Sequence, residues 1–434
     1  MTCHILALLL ASLASIASEQ RAWFVRSIRI YGGSDETAPP ILLLSPAGDH
    51  GSLGYPFVTL EVDVDAPVPP ALMARFVHCR PNWEESQNAF LSFGIVGTSL
   101  FVWEPAPVGS RYYTYRGKLR IPNPQVRITY PGNWRLFLID PTVPDRSVAE
   151  SRFFAVSPQA ECHVAVYSDL YAAPPGIGPA AVTVEAWVRP HSGLTVDYRL
   201  HTVAFYRNHR WYEPYLASHD PQLPASTEPL YEQTYHWSIA GMLPGGKLFR
   251  IERLPAQNEY RVLDLSNPAQ FPPNTAAPLR LPLADLRRNG NFWEWADDGA
   301  CITAHLPSYL QDYVPVEFVL DPEGRLPSSE TFVVGSFNNW QATAEWRLSY
   351  DPEERLYRLR QVLRRGRHNY LYATGELSAD SKAVQKLSFE IWEGNTSGTR
   401  ISFWAFVYYC MPDFGGYDAL VAVGAATIFG PIQP

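Results

Sequence analysis

The 434-residue sequence predicts an all-β protein made of consecutive β-sandwich domains. Apolar and polar residues alternate with period two along many short segments, and no long stretch with the helical period of 3.6 competes with them. The 39 prolines and 28 glycines are spread along the chain without a repeating period, as expected for short strands joined by turns. The chain is too long for one hydrophobic core, so we expect two or three domains.

The first 18 residues have the pattern of a secretory signal peptide. Residues 5–17 form a 13-residue apolar stretch that is too short to span a bilayer, and small residues near Ser18 provide a cleavage point. His4 is the only basic candidate before this stretch, so a buried first strand or helix stays open as an alternative. We expect an exported mature chain without a membrane-spanning segment.

The next block, residues 19–157, is expected to form an N-terminal sandwich. Seven or eight short strands with Pro, Gly and Asn turns in about 135 residues are typical of an immunoglobulin-like sandwich. Glu61, Asp63 and Asp65 alternate with apolar residues, which predicts a solvated sheet face above an apolar one. The segments with strand character are 25–31, 58–65, 71–77, 89–96, 112–121, 134–139 and 151–156.

Two further β-rich domains are expected at residues 158–308 and 309–434. The middle block contains long Pro-rich connections at 221–229 and 267–278, which exceed ordinary hairpin loops and could pack against a partner. Its segments with strand character are 181–188, 200–206, 247–254 and 260–265.

Composition and motifs argue against several classes of function. The net charge of −8 does not favour nucleic acid as a partner. The sequence contains no His-Glu-x-x-His, P-loop or Gly-x-Ser-x-Gly motif, and His201, His209 and His219 are not spaced for one ligand face. We therefore predict no catalytic, cofactor-binding or metal-binding residue, no cofactor and no enzymatic activity.

Four cysteines would remain after removal of the signal peptide. They are far apart and form no Cys-x-x-Cys pair, which argues against a zinc site of the thiolate type. An oxidising compartment would permit disulfides, but the sequence cannot choose among the pairings, and buried free thiols are equally compatible with it. They are Cys79, Cys162, Cys301 and Cys410.

The third block contains a motif with a recognisable pattern. Residues 331–340 form an apolar run that ends at a glycine and continues as Phe-Asn-Asn-Trp, and a Gly-x-x-x-Tyr strand follows at 366–370. This arrangement resembles the immunoglobulin-like (E-set) modules that bind glycogen and starch. In the sugar-binding members the tryptophan works with a lysine and a second tryptophan. Here Trp340 is present, but Leu371 occupies the lysine position and residues 373–377 contain no aromatic ring.

Across residues 25–425 the chain resembles the plug protein family of the type IX secretion system of Bacteroidota. No single motif is specific, but the ordered set is. Departures include Gly246-Lys247 in place of the commoner Gly-Asn of that family. The matching segments are 78–83 (HCRPNW), 112–115 (YYTY), 131–136 (PGNWRL), 207–211 (RNHRW), 245–250 (GGKLFR), 312–316 (DYVPV) and the Phe-Asn-x-Trp segment.

The resemblance implies a non-enzymatic periplasmic protein that seats against the outer-membrane translocon barrel and closes its periplasmic side. For such a plug we expect the contact surface to lie on loops with exposed aromatic rings. The candidate partner-binding residues are Asn208, Trp211, Asn339 and Trp340. The alternatives are an exported carbohydrate-binding protein that uses the Phe-Asn-x-Trp module, for which the sequence gives weak support, and a surface adhesin.

Overall fold

The structure is a computed structural model, and its regular secondary structure is almost entirely β, which confirms the predicted fold class. It describes residues 23–44, 53–91, 97–170, 180–223, 235–242, 245–275, 279–280, 284–288, 298–303, 305–378, 384–395 and 400–428. The predicted signal peptide lies outside these residues. Within them, the one α-helical turn is α1 (Glu390–Glu393), and no helix is long and apolar enough to cross a membrane.

The strands are numbered in chain order. They are β1 (Phe24–Gly32), β2 (Ile41–Leu43), β3 (Val58–Asp65), β4 (Met73–Cys79), β5 (Val102–Pro105), β6 (Tyr115–Ile121), β7 (Gly132–Ile139), β8 (Ser147–Val156), β9 (Ala160–Leu170), β10 (Ala180–Pro190), β11 (Leu200–Arg207), β12 (Tyr215–Ser218), β13 (His236–Met242), β14 (Gly246–Pro255), β15 (Arg261–Asp264), β16 (Leu279–Arg280), β17 (Asp285–Leu286), β18 (Tyr313–Asp321), β19 (Glu330–Gly335), β20 (Ser349–Asp351), β21 (Leu356–Arg364), β22 (Arg367–Leu377), β23 (Val384–Ser388), β24 (Ile401–Met411) and β25 (Tyr417–Ile428).

These strands form six sheets that face each other in three pairs. The first sandwich pairs sheet β1-β3-β6-β5 with sheet β2-β8-β7-β4 around a core that includes Leu60, Leu136 and Phe153. The middle sandwich pairs β13-β14-β10-β9 with β12-β11-β24-β25. The third pairs β15-β22-β19, to which β23 adds, with β16-β18-β21-β20, to which β17 adds. Each sandwich buries the apolar side of its alternating strands, as the period-two pattern requires.

The chain order of the domains differs from the prediction. Strand β24 pairs with β11, with Val407 opposite Val203, so the end of the chain completes the middle sandwich. Strand β15 pairs with β22 and belongs to the third sandwich. The division into 158–308 and 309–434 is therefore wrong, because the third sandwich is an insertion within the middle one. Local alternation identifies a strand but carries no information about a partner 200 residues away.

The two ends of the inserted sandwich meet at the middle one. The backbone N–H of Gln257 donates to the side-chain oxygen of Asn395 at 2.8 Å, and the N–H of Arg400 donates to Glu259 at 2.7 Å. An insertion whose ends are adjacent leaves the host sheets uninterrupted, because the chain can leave and return at one place.

Aromatic packing joins the first sandwich to the middle one. The ring of Phe154 on β8 stacks on Phe406 of β24 with centroids 4.0 Å apart, and both rings are fully buried. Nearby, Trp83 donates from Nε1 to the hydroxyl of Tyr206 at 2.9 Å. This contact removes large apolar rings from water and satisfies the indole N–H, so it favours a fixed arrangement of the two sandwiches.

Buried charges join the first sandwich to the third. Glu61 on β3 contacts Arg29 at 2.8 Å and also pairs with Arg364 of the third sandwich. Asp63 receives two hydrogen bonds from Arg116 at 2.7 and 3.0 Å. Glu61 and Asp63 are 4% and 0% exposed, so the predicted solvated face is instead covered by another domain.

The arginines keep both carboxylates ionised. Burial raises the pKa of each carboxyl, but Arg29, Arg364 and Arg116 outweigh burial at Glu61 and hold its pKa below the usual value. Arg364 and Arg116 do the same for the pKa of Asp63. A buried charge held in this way is costly to leave without its partner.

Removal of the C-terminal hairpin should unfold the middle sandwich. A chain that ends at residue 395 lacks β24 and β25 and leaves Val203 and Phe205 of β11 uncovered. We expect it to lose the corresponding thermal transition and β signal in circular dichroism. Replacement of residues 260–395 by a short Gly-Ser linker removes more residues. It should nevertheless retain the thermal transition of the middle sandwich, because β24 and β25 remain. An unchanged melting profile of the chain ending at 395 would contradict the topology.

Glu61→Gln should destabilise the protein at neutral pH by about 3 kcal/mol, because it removes one of the carboxylates that balance the buried guanidinium groups of Arg29 and Arg364. The folded pKa of Glu61 is depressed, so its contribution is complete above the ordinary carboxyl pKa of about 4.3 and is lost as the pH falls below it. The difference in unfolding free energy between the two proteins should therefore narrow below about pH 4. Denaturant unfolding at a series of pH values measures it, and a pH-independent difference would contradict the assignment.

Candidate functional site

A wide open groove of about 780 Å³ lies between the first and middle sandwiches. We call it the junction groove. One wall comes from the first sandwich, and the other comes from the middle sandwich with the turn between β24 and β25. The lining residues are Arg80, 86–90, Tyr198, His201, 219–222, Cys410 and 414–418.

The segments around Arg80 and Gly132 fix the relative position of the two walls. The side-chain amide of Asn133 donates to the carbonyl of Arg80 at 3.0 Å and accepts a hydrogen bond from Tyr408 of β24 at 2.6 Å. Gly132 has φ +147°, and a Cβ there would lie 2.2 Å from the ring of His78. A side chain at this position would therefore clash with His78 of the same sandwich and would lie 3.0 Å from the carbonyl oxygen of Asp418 on the β24–β25 hairpin.

A charged cluster forms the floor of the junction groove. Nη2 of Arg80 lies 2.7 Å from Asp220, and Nε of Arg80 lies 3.4 Å from Asp418. Nε2 of His201 lies 3.2 Å from the other oxygen of Asp418. Burial raises the pKa of the Asp418 carboxyl, but its interactions with His201 and Arg80 outweigh burial and hold the pKa below its usual value. The floor therefore presents the ionised carboxylate of Asp418 beside a buried imidazole.

An exposed pair of aromatic rings forms the rim. Phe90 and Phe414 are 62% and 53% exposed, and their ring centroids are 6.4 Å apart. The amide of Asn88 donates to the carbonyls of Phe414 at 2.8 Å and Gly416 at 3.1 Å, which ties the two loops together. Phe414 has φ +55°, a backbone conformation that is uncommon for a large residue and is found at functional sites.

The four partner-binding candidates lie elsewhere, at the place where all three sandwiches meet. Trp211, Asn339 and Trp340 line one small cavity of about 60 Å³. Asn208 donates to the hydroxyl of Tyr260 at 2.8 Å, and the ring of Tyr260 lies 4.5 Å from that of Trp340. The structure thus brings the candidates together.

Both candidate tryptophans are buried. Trp211 is 8% exposed and packs with its edge toward Trp404 at 5.7 Å. Trp340 is 1% exposed, donates from Nε1 to the carbonyl of Gly299 at 3.0 Å, and lies 4.9 Å from the guanidinium of Arg210. The expectation of exposed aromatic anchors is wrong for these two rings, because neighbouring sandwiches cover them.

The two asparagines adopt turn conformations. Asn208 has φ +49°, and its side-chain oxygen accepts from the N–H of Ser402 at 2.8 Å. Asn339 has φ +53° and follows the 3₁₀ turn Ser336–Asn338. Asparagine tolerates this left-handed conformation better than most residues, so both positions suit the backbone without any partner.

The same burial bears on carbohydrate binding. The covered ring of Trp340 offers no face on which a sugar could stack, and Leu371 is fully buried in the same hydrophobic cluster. In this structure the Phe-Asn-x-Trp segment packs one sandwich against its neighbours.

Local sequence patterns missed the floor of the junction groove. His201 lies on β11, Asp220 follows β12, and Asp418 lies on β25. Only the pairing of β11 with β24 brings the end of the chain to His201, so no spacing rule could have found the cluster.

The four cysteines of the described residues are free.

No protein-family model and no curated protein matches this chain. A crystal structure of a hypothetical protein from Parabacteroides merdae ATCC 43184 superimposes with a TM-score of 0.69 at 18% identity, over 94% of this chain and 98% of that one. This likeness shows the fold. The BSP domain of a biofilm-associated protein aligns at 6% identity over 95% of this chain and 61% of that one, with a TM-score of 0.16 that carries no argument.

Trp340→Ala should destabilise the protein by about 3–5 kcal/mol, because it removes a buried ring and leaves a cavity. We expect a lower denaturant midpoint, and any loss of partner binding should run parallel to it. Trp187→Ala is the matched control, since that ring is 46% exposed, and it should change the midpoint little. A Trp340→Ala protein of unchanged stability would contradict the packing role.

Proposed function

We propose that this chain is a non-enzymatic periplasmic protein that closes the periplasmic side of the type IX secretion translocon barrel. The observation that carries the proposal is where the family-like segments lie. In three of the segments, Trp83, Asn133 and Asn208 each make a hydrogen bond to a neighbouring segment at a junction between sandwiches. Tyr313, in a fourth, donates to Asp63 of the first sandwich at 2.9 Å.

These contacts support a rigid three-sandwich body. A protein without a spanning helix among its described residues can block an aqueous pore only through a large complementary surface. Such a surface must keep its shape, and junctions with buried rings and buried ion pairs oppose movement between sandwiches. Four of the seven family-like segments thus make contacts at junctions between sandwiches, which supports the proposal of a rigid plug.

The aromatic rim of the junction groove is the contact we propose for the barrel. Phe90 and Phe414 are held by Asn88, belong to two different sandwiches and are more than half exposed. Aromatic rings that are already fixed lose little conformational entropy on binding, and buried ones often dominate the binding energy. A small anchor of this kind suits a plug that must leave the pore again.

Phe90→Ala and Phe414→Ala should each weaken retention on the translocon by about thirtyfold, which corresponds to roughly 2 kcal/mol for a binding hot spot. Their melting temperatures should remain close to that of the unchanged protein. Co-purification from detergent-solubilised outer membrane measures the binding. Tyr309→Ala, which removes a 69% exposed ring from the third sandwich, is the matched control and should bind normally.

Two outcomes would contradict the proposal. Repeated absence of a large barrel from material purified with the unchanged protein would remove the plug function itself. If the Phe90→Ala and Phe414→Ala proteins are retained as well as the unchanged protein, the rim is not the contact surface. Affinity of the purified protein for maltooligosaccharide would instead favour the carbohydrate-binding alternative.

A further inference from the structure

The imidazole of His201 points into the junction groove. This residue is 4% exposed, and its Nδ1 lies 2.6 Å from the hydroxyl of Thr202. Its Nε2 faces Asp418 at 3.2 Å but makes no hydrogen bond to any atom of the described residues. A neutral imidazole that donates from Nδ1 carries a lone pair on Nε2. In that tautomer a cation between Nε2 and Asp418 would be bound by both groups, whereas without a cation the other tautomer or the protonated ring can donate to Asp418.

Two carboxylates complete a set of donor atoms. Nε2 of His201 and one oxygen each of Asp220 and Asp418 all lie within 4.8 Å of one another. Zinc binds nitrogen and oxygen ligands at about 2.0–2.2 Å in tetrahedral geometry, so two of its donors are about 3.4 Å apart. Small side-chain rotations would bring the three donors to that separation. The open groove allows water to supply further ligands.

The donor types favour one class of cation. Imidazole suits zinc and other divalent first-row transition metals, whereas calcium and magnesium prefer oxygen ligands alone. Among the described residues that line the groove, Asp220 and Asp418 bring two carboxylates and Arg80 brings one guanidinium, which gives the floor a local excess of negative charge. A divalent ion would balance this excess.

We propose that His201, Asp220 and Asp418 bind a divalent transition-metal ion of the zinc class, in competition with Arg80. The guanidinium of Arg80 contacts both carboxylates, so an entering ion replaces it. Arg80 belongs to the first sandwich, whereas the three ligands belong to the middle one. Ion binding therefore breaks ion pairs between the first and middle sandwiches. It forms metal–ligand bonds within the middle sandwich, below the aromatic rim.

The test uses the purified chain with ZnCl₂ followed by calorimetry and CoCl₂ followed by its visible absorption. We expect one ion per chain, no displacement by excess CaCl₂, and affinity weaker by about tenfold or more in His201→Gln and Asp418→Asn. His236→Gln, which changes a histidine exposed on β13, is the matched control and should bind as the unchanged protein does. If circular dichroism shows that either ligand variant fails to fold, Asp220→Asn takes its place in the binding measurement.

The Arg80→Gln variant distinguishes a metal-binding site from a cluster of ion pairs that binds no metal. Removal of the competing positive charge should tighten zinc binding by about tenfold. No binding by the unchanged protein, equal binding by His201→Gln, or equal competition by calcium would overturn the proposal, and so would weaker binding by Arg80→Gln. The measurement needs no translocon, so its failure leaves the plug proposal standing, and the reverse also holds.

Discussion

The pairing of β11 with β24 is the interaction on which most of this structure depends. It joins a strand near the middle of the chain to one near its end, with Val203 opposite Val407. Because β24 lies there, Phe406 reaches Phe154 of the first sandwich and the following turn brings Asp418 to His201. The same pairing makes the third sandwich an insertion that leaves and returns at one point. The aromatic junction with the first sandwich, the junction groove and the order of the domains along the chain thus all depend on this one sheet.

Different interactions form the two junctions of the first sandwich. Against the middle sandwich it buries rings, and the gain comes from removing apolar surface from water. Against the third it buries Glu61 and Asp63 with arginines from both sides. Burial of ions brings little net stability, since desolvation offsets the attraction between charges. It does penalise any arrangement in which one partner is missing, so the charged junction specifies orientation more than it adds stability.

The sequence was informative where the physics is local. Alternation identified most of the strands, but residues 89–91 of the strand predicted at 89–96 form a 3₁₀ turn, and residues 92–96 lie outside the described residues. The Asn338-Asn339 turn before Trp340 forms as its residues favour, with the side chain of Asn338 accepting from the N–H of Gly335 at 2.9 Å. It failed where a distant segment decides the environment. Tyr260 and Gly299 cover Trp340, and Arg364 covers Glu61, yet none of these neighbours lies within the local window of the residue it buries. Exposure, domain boundaries and the His201 cluster all depend on such distant partners.

The inserted third sandwich has a consequence for the order in which the chain acquires its structure. During synthesis the first sandwich is complete once Val156 has emerged, but the middle one waits for β24 and β25, which follow the inserted third sandwich. Until then, β11 has an open edge and an uncovered apolar face, the kind of surface that chaperones bind and that aggregates when left free. Long loops that must close before contacts form also slow folding. The central domain of this chain therefore closes only after the whole inserted sandwich has been synthesised.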